Sequence, residues 1–379
     1  MKTEQLVWNA TSGWNVIKPQ TATDQTNVVL AFGAVDEIGV PERYTELRER
    51  FPKANIVMSS TAGEIAGENV SDGTISATAI AYEKTELRAE VIEIGDYTDS
   101  REAGDALAQK LAGDDLVHVL VISDGGLVNG DALVKGLNSV LGRKVLITGG
   151  LAADAGRFTQ TYVGLNEAPR SGCIVGIGHY GTDLKVSHGS NGGWEEFGPI
   201  RQVTRSQGNV LFELDNQPAL DLYKKYLGSK AEELPGAALL YPVSLFTANG
   251  DQVVRTILSI DEKAGSMTLA GDIPQGAEIR LMMATFDRLI DGAADAAEAS
   301  WHASDDDDEA QLVLMISCVG RKLVLDGRVG EEVESVMEIL GKDAVYTGFY
   351  SNGEISPVRE FSACSLHNQT MTITTYSES

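Results

Sequence analysis

Apolar runs of strand length alternate along the chain with stretches of helical spacing, and one arrangement of the two recurs. Residues 312–318 (LVLMISC) pass through a helical pattern to 344–357 (AVYTGFYSNGEISP). Residues 117–126 (VHVLVISDGG) lead likewise to 145–154 (VLITGGLAAD), and residues 28–34 (VVLAFGA) to 56–65 (IVMSSTAGEI). The runs match a strand–helix–strand unit. Each copy ends in Ser, Thr or Gly residues, which let the backbone turn sharply and approach a neighbour closely. One unit used three times is the organising pattern.

Around these units the pattern predicts hairpins. Residues 75–82 and 87–94 alternate small or apolar residues with polar ones across a charged turn, and 101–111 has helical spacing. Residues 173–188 repeat the hairpin: moved along by 97 positions, Thr85 to Ala89 falls on Thr182 to Val186 with matching polar and apolar classes. That internal duplication predicts an N-terminal extension over 1–23, a first domain over 24–205 and a second over 206–379. In the second domain, 218–227 reads as a helix. Residues 238–246, 253–260, 267–270 and 279–284 read as strands, 286–301 as an amphipathic helix, and Asp305 to Asp308 as a solvated loop. The order from 279 onward parallels that of 87–122, so the second domain reads as a diverged copy of the first. The expected fold class is mixed α/β: two homologous domains of strand–helix–strand–hairpin half-units, with helices packed on mixed sheets.

Composition narrows the class. A formal net charge of −25 argues against partners that need clustered Lys and Arg, so neither nucleic acid nor an anionic membrane is expected. Cys173, Cys318 and Cys364 cannot build a disulfide framework, which predicts a reducing compartment. The N-terminus has no apolar signal core and no apolar run reaches spanning length, so the expected location is cytoplasmic.

Cys318–Arg321, Gly348–Pro357 and Leu366–Thr372 resemble the C-terminal domain of FIST proteins, a family named for F-box and intracellular signal-transduction proteins. Gly149–Ala152, Arg157–Phe158, Thr161–Val163 and Val203–Thr204 resemble its N-terminal domain, and Asp215–Leu220 with Tyr223 the junction. The resemblance implies an intracellular sensory protein binding a small ligand, amino acids among the proposed ones. It also implies, as an alternative, a haem-binding nitric-oxide sensor that regulates a histidine kinase or a cyclic-di-GMP enzyme. The chain shows no kinase, cyclase or F-box segment, so output through a separate partner is expected.

Candidate site residues come from the corners. Gly149 and Gly150 supply close backbone approach, Tyr350 a ring face and Glu354 a carboxylate for an ammonium group, echoed by Gly63-Glu64 in the first unit. Arg321 offers a guanidinium to a ligand carboxylate or a haem propionate, the alternative being an ion pair with Glu331 or Glu332. Asn368 lies in the family-like run after His367. For haem, His188 and His367 are the candidate axial ligands, each otherwise a hydrogen-bonded structural histidine. Gly176-Ile-Gly-His-Tyr-Gly181 matches a dinucleotide fingerprint in letters, but a second strand is expected after it where the fingerprint needs a helix. No metal-ligand spacing and no base–nucleophile pair stands out, so neither a metal site nor an enzyme is expected.

Overall fold

The computed structural model describes residues 1–19, 24–234, 236–246, 252–302, 309–359 and 362–379. The expected loop at Asp305–Asp308 lies outside the described residues. The fold is mixed α/β, with helices on the outer faces of mixed sheets.

Three units surround a common axis. The first contains β1 (Lys2–Asn9), β2 (Gly13–Lys18), β3 (Val28–Ala34), β4 (Asn55–Thr61), β5 (Glu64–Ala66), β6 (Asn69–Ser71) and β7 (Ile75–Ala81), with α1 (Val35–Ile38) and α2 (Pro41–Arg50) between β3 and β4. The second contains β8 (Glu86–Glu93), α3 (Ser100–Leu111), β9 (Leu116–Ser123), α4 (Gly130–Leu141), β10 (Leu146–Leu151), β11 (Val163–Leu165) and β12 (Cys173–Tyr180). The third opens with β13 (Leu184–Asn191). It resumes at α6 (Phe286–His302), β22 (Leu312–Cys318), α7 (Val319–Leu325), α8 (Val329–Leu340), β23 (Val345–Ser351), β24 (Gly353–Pro357), β25 (Cys364–His367) and β26 (Met371–Glu378).

Between the two parts of the third unit lies an insert with its own core. It holds β14 (Glu195–Gln207), β15 (Val210–Leu214), β16 (Gln217–Pro218), α5 (Ala219–Leu227), β17 (Val243–Phe246), β18 (Gln252–Arg255), β19 (Ile257–Asp261), β20 (Ser266–Leu269) and β21 (Glu278–Met283). Strand β14 crosses the expected boundary at 205. Residues 2–18, expected as an extension, instead form a hairpin on the first sheet: β1 pairs with β7 and β2 pairs with β1. Leu6 and Trp8 of β1 join the core under α2, and Thr3, Glu4 and Gln5 are buried beside them. The strand standing where β8 stands in the second unit is β13, not β21, because the insert separates β13 from α6.

Each unit pairs two parallel strands, β3 with β4, β9 with β10 and β22 with β23, flanked by the antiparallel strands β7, β12 and β26. Beyond its second parallel strand each chain segment crosses to the neighbouring unit. Strand β5 joins β23, β11 joins β4 and β24 joins β10, all antiparallel. One backbone bond repeats at each crossing: Ala62 N–H to the Tyr350 carbonyl (2.8 Å), Ala153 to Ser60 (3.0 Å) and Asn352 to Leu151 (3.1 Å). The units are therefore interlocked cyclically.

The inner faces of all three sheets form one core, containing Phe32, Ile122, Ile316 and Phe349, with the Phe32 and Phe349 ring centroids 4.6 Å apart. The outer faces carry α2, then α3 with α4, then α6 with α8, each pair or helix closing a separate core. Helices α3 and α4 approach closely because Gly104 and Gly136 meet the partner helix's backbone. A Cβ on Gly104 would stand 2.3 Å from the Leu133 carbonyl oxygen. Asp99 and Asn129 cap these two helices by accepting from backbone N–H groups of the first turn. No helix among the described residues is long and apolar enough to cross a membrane.

Phe349 is wholly buried in the shared core against Phe32, so Phe349→Ala is expected to cost about 3–5 kcal/mol in chemical denaturation. Ile17→Ser, on the half-exposed outer strand β2, is expected to change stability by no more than about 0.5 kcal/mol.

Candidate functional site

The small-residue corners are packed solid. A Cβ on Gly149 would stand 1.9 Å from the Val121 carbonyl oxygen, and one on Gly150 would stand 2.8 Å from Ile316 Cγ2. These glycines admit a neighbouring strand and core side chains, leaving no hollow for a ligand. Tyr350, Glu354 and Arg321 are wholly buried.

Of the two roles weighed for Arg321, anion clamp or ion pair with Glu331 or Glu332, it takes the second and centres an internal network. Its Nε and Nη2 donate to Glu332 Oε2 (3.1 and 2.8 Å), and its remaining contacts are the Gly192 and Leu289 carbonyls. Glu332 Oε1 accepts from Tyr350 Oη (2.5 Å) and Ser317 Oγ (3.2 Å). The guanidinium lies too deep, and its partners are too complete, for an outside anion to reach it. The network joins β22, β23, α7, α8 and the start of α6.

The echo between Gly63-Glu64 and Gly353-Glu354 is a structural one. Thr61 Oγ1 donates to one Glu64 oxygen (2.6 Å) and Thr74 N and Oγ1 to the other (3.2 and 2.7 Å). Ser351 Oγ and Thr370 N and Oγ1 do the same for Glu354 (2.7, 3.2 and 2.9 Å). Both carboxyls hold a crossing strand to the strand that returns after it. Burial pushes Glu354 up to about 8 and Glu64 up to about 7, against the hydroxyl bonds that favour the charged forms. In the second unit Ala152 and Ala155 stand at the corresponding places. There Asp154 instead accepts four bonds from Phe158, Thr159 and Gln160, which shape the following loop.

His188 and His367 both meet Ser356, His188 Nδ1 at its Oγ (3.4 Å) and His367 Nε2 at its carbonyl oxygen (2.9 Å). Burial pushes both imidazoles down to about 4. Both are hydrogen-bonded to Ser356, the structural role weighed for each, and neither lines the cleft described below. A second pair, missed in the sequence, lies in the central core. Tyr82 Oη, His179, His118 and Thr148 form a chain with contacts of 3.3, 3.2 and 2.9 Å. With both rings neutral the chain is satisfied in either direction, running from Tyr82 through His179 and His118 to Thr148 or the reverse. Both imidazoles stay neutral, pushed down by burial. The Gly176–Gly181 run crosses from β12 into β13, strand to strand, and builds no phosphate cradle. Among the described residues no group of three His, Cys, Asp or Glu is placed to hold a metal.

The open space lies elsewhere. A cleft of about 680 Å³ separates the insert from the second unit, bounded by α4, β17, β18, residues 272–278 and β25. Leu245, Val253 and Leu366 give it apolar walls, while Lys135, Asn138 and Asp272 supply polar ones. At its floor Arg255 Nη2 binds both oxygens of Asp131 (2.9 and 3.1 Å), and Arg255 Nη1 donates to the Leu366 carbonyl (3.0 Å). Asp131 also accepts from Asp272 N (2.6 Å). This ion pair ties β18 to α4 and β25. Cys364 borders the cleft, but its thiol is buried, directed at the Ile147 carbonyl and pushed far up, so it is no nucleophile. None of the site residues expected from sequence lines this cleft. Arg255 could have been found as a lone charge inside the strand run Val253-Val254-Arg255.

Models of the FIST N domain and FIST C domain match residues 27–217 and 219–357. The uncharacterized protein MJ1623 of Methanocaldococcus jannaschii is 24% identical over 339 residues, 81% of this chain and 62% of that protein. The chain thus spans about three-fifths of that relative's length. A solved cyanuric acid hydrolase from A. caulinodans has 11% identity and a TM-score of 0.18, covering 78% of this chain and 99% of its own. At that score the likeness carries no argument.

The buried acids and imidazoles set a pH optimum. Four histidines with depressed values resist protonation that the unfolded chain accepts below 6.5, so stability falls as pH drops from 6.5 toward 4. Glu64 and Glu354 keep protons that the unfolded chain releases above about 4.5, so their stabilisation is lost as pH rises through 7 and 8. At about 1.4 kcal/mol per pH unit for each group, denaturation should show a maximum near pH 6.5 and a loss of about 2 kcal/mol by pH 8.5. Glu354→Gln is expected to flatten most of that alkaline limb.

Proposed function

As the chain belongs to the FIST family, whose domains are associated with signal-transduction sensing, we propose that it is a cytoplasmic sensory protein that binds a small molecule in the cleft between the insert and α4. The observation that carries this reading is the cleft itself, with a buried ion pair linking its two walls. A cleft with mainly apolar walls and a few placed polar groups is the ordinary form of a small-molecule site. A ligand touching both walls would favour one placement of the insert over others, and a separate partner protein would read that difference. On this reading the cleft binds without turnover, and the thiol that borders it, Cys364, is buried and pushed far up.

The test is thermal unfolding of the full chain with a panel of amino acids, nucleobases, small carboxylates and amides. A ligand that binds only the folded form raises the midpoint in proportion to its saturation. Ser365→Trp, placing an indole in the cleft from half-buried β25, is expected to weaken any such ligand at least tenfold. Binding that survives this change would place the ligand outside the cleft and contradict the proposal.

A further inference from the structure

The charged side chains that line the cleft are Asp131, Asp272 and Glu278 on one side of the balance and Lys135 and Arg255 on the other. Both cations are already matched. Arg255 Nη2 holds the two oxygens of Asp131, at 2.9 and 3.1 Å, and Lys135 Nζ stands 3.2 Å from Asp272 Oδ2. Asn138, the neutral polar group of α4, has its amide engaged by the Cys364 backbone. It donates to that carbonyl (2.8 Å) and accepts from that N–H (3.2 Å). Glu278 is the exception. It is exposed, and among the described residues its carboxylate has neither an ion-pair nor a hydrogen-bond partner.

Register fixes what stands beside it. Strand β21 pairs with β17 so that Glu278 lies directly opposite Phe246. Residues opposed in this way send their side chains to the same face of the sheet, with Cβ atoms about 5 Å apart. Both line the cleft, and Phe246 is half-buried. One step along β17, Leu245 opposes Val253 of β18, and Leu366 of β25 completes the apolar wall. A free carboxylate, an aromatic ring and an apolar wall therefore adjoin in one cavity.

That arrangement selects by charge. A ligand carboxylate would meet cations that already hold carboxylates, and it would add to a surplus of negative charge. An uncharged ligand would leave Glu278 unmatched. A metal ion needs several oxygens at once, and no such group stands among the described residues. An organic cation gains from Glu278 by charge and from Phe246 by cation–π contact, while its apolar part covers Leu245, Val253 and Leu366. The formal net charge of −25 also draws cations toward the molecule. We propose that the cleft takes an amphiphilic organic cation, an ammonium head on an apolar body, with Glu278 and Phe246 as the site of the head. This rests on the cleft as the ligand site and names the chemistry it takes.

The experiment compares probes of similar apolar body and different charge: 2-phenylethylamine, phenylalanine, 3-phenylpropionate and 2-phenylethanol. Each is followed by calorimetric titration and thermal unfolding of the full chain at neutral pH. The amine is expected to bind saturably, raise the midpoint, lose affinity as salt is added, and lead the other three at least tenfold. Glu278→Gln is expected to weaken the amine at least tenfold without moving the unliganded midpoint, since the carboxylate is exposed and unmatched. Phe246→Leu is expected to weaken it about threefold or more. Failure of the amine to bind, equal or tighter binding of any of the other three, or unchanged amine affinity in Glu278→Gln would overturn the proposal. A molecule from the wider panel that Ser365→Trp rejects and Glu278→Gln retains would leave the cleft standing and this assignment overturned.

Discussion

The crossing of one strand from each unit into the next sheet is the constraint on which the remaining structure depends. A strand that pairs inside its own unit could be lost without disturbing the others. Here β5, β11 and β24 complete a neighbour's sheet, so no unit closes alone and the three inner faces meet in one core. The crossings also explain the small residues at the corners. A strand must leave its sheet, turn and lie against another backbone within a few residues, and side chains at the turn would meet main chain. Where the turn is tightest, a buried carboxyl takes the hydroxyl and amide donors of the strand that follows.

That accounts for what could be read in the chain and what could not. The three strand–helix–strand copies were legible because strands covered on both faces are continuous apolar runs, as in Val313 to Ile316, while the parallel pairing within each copy came from the fold. The recurrence of Gly63-Glu64 at Gly353-Glu354 was legible too, and it marks a common contact. Its meaning was not: a glycine demanded by a neighbouring strand and one demanded by a ligand have the same letter. Arg321 illustrates the same ambiguity, settled by Glu332 one helical segment later. Strand β1 was hidden because three of its buried residues, Thr3, Glu4 and Gln5, are polar, so its burial leaves no apolar pattern.

The insert had no signature of its own. Its strands read as part of a second domain, since nothing in a linear pattern tells an inserted sheet from a continuing one. Yet it creates the cleft, because two independently packed bodies joined by few elements leave a seam that a single core would fill. Arg255 and Asp131 lie 124 positions apart and meet only through that seam. No spacing rule could have joined them. Asn368 was reached from sequence for family-like reasons, and the fold buries it outside the cleft.

Crystals of the full chain soaked individually in a diverse set of small polar fragments would test the central claim most directly, because they reveal occupied sites without assuming a ligand. The account expects fragments to gather between α4 and the insert. Fragments seated beside Gly150 or Tyr350, with the cleft unvisited, would contradict it.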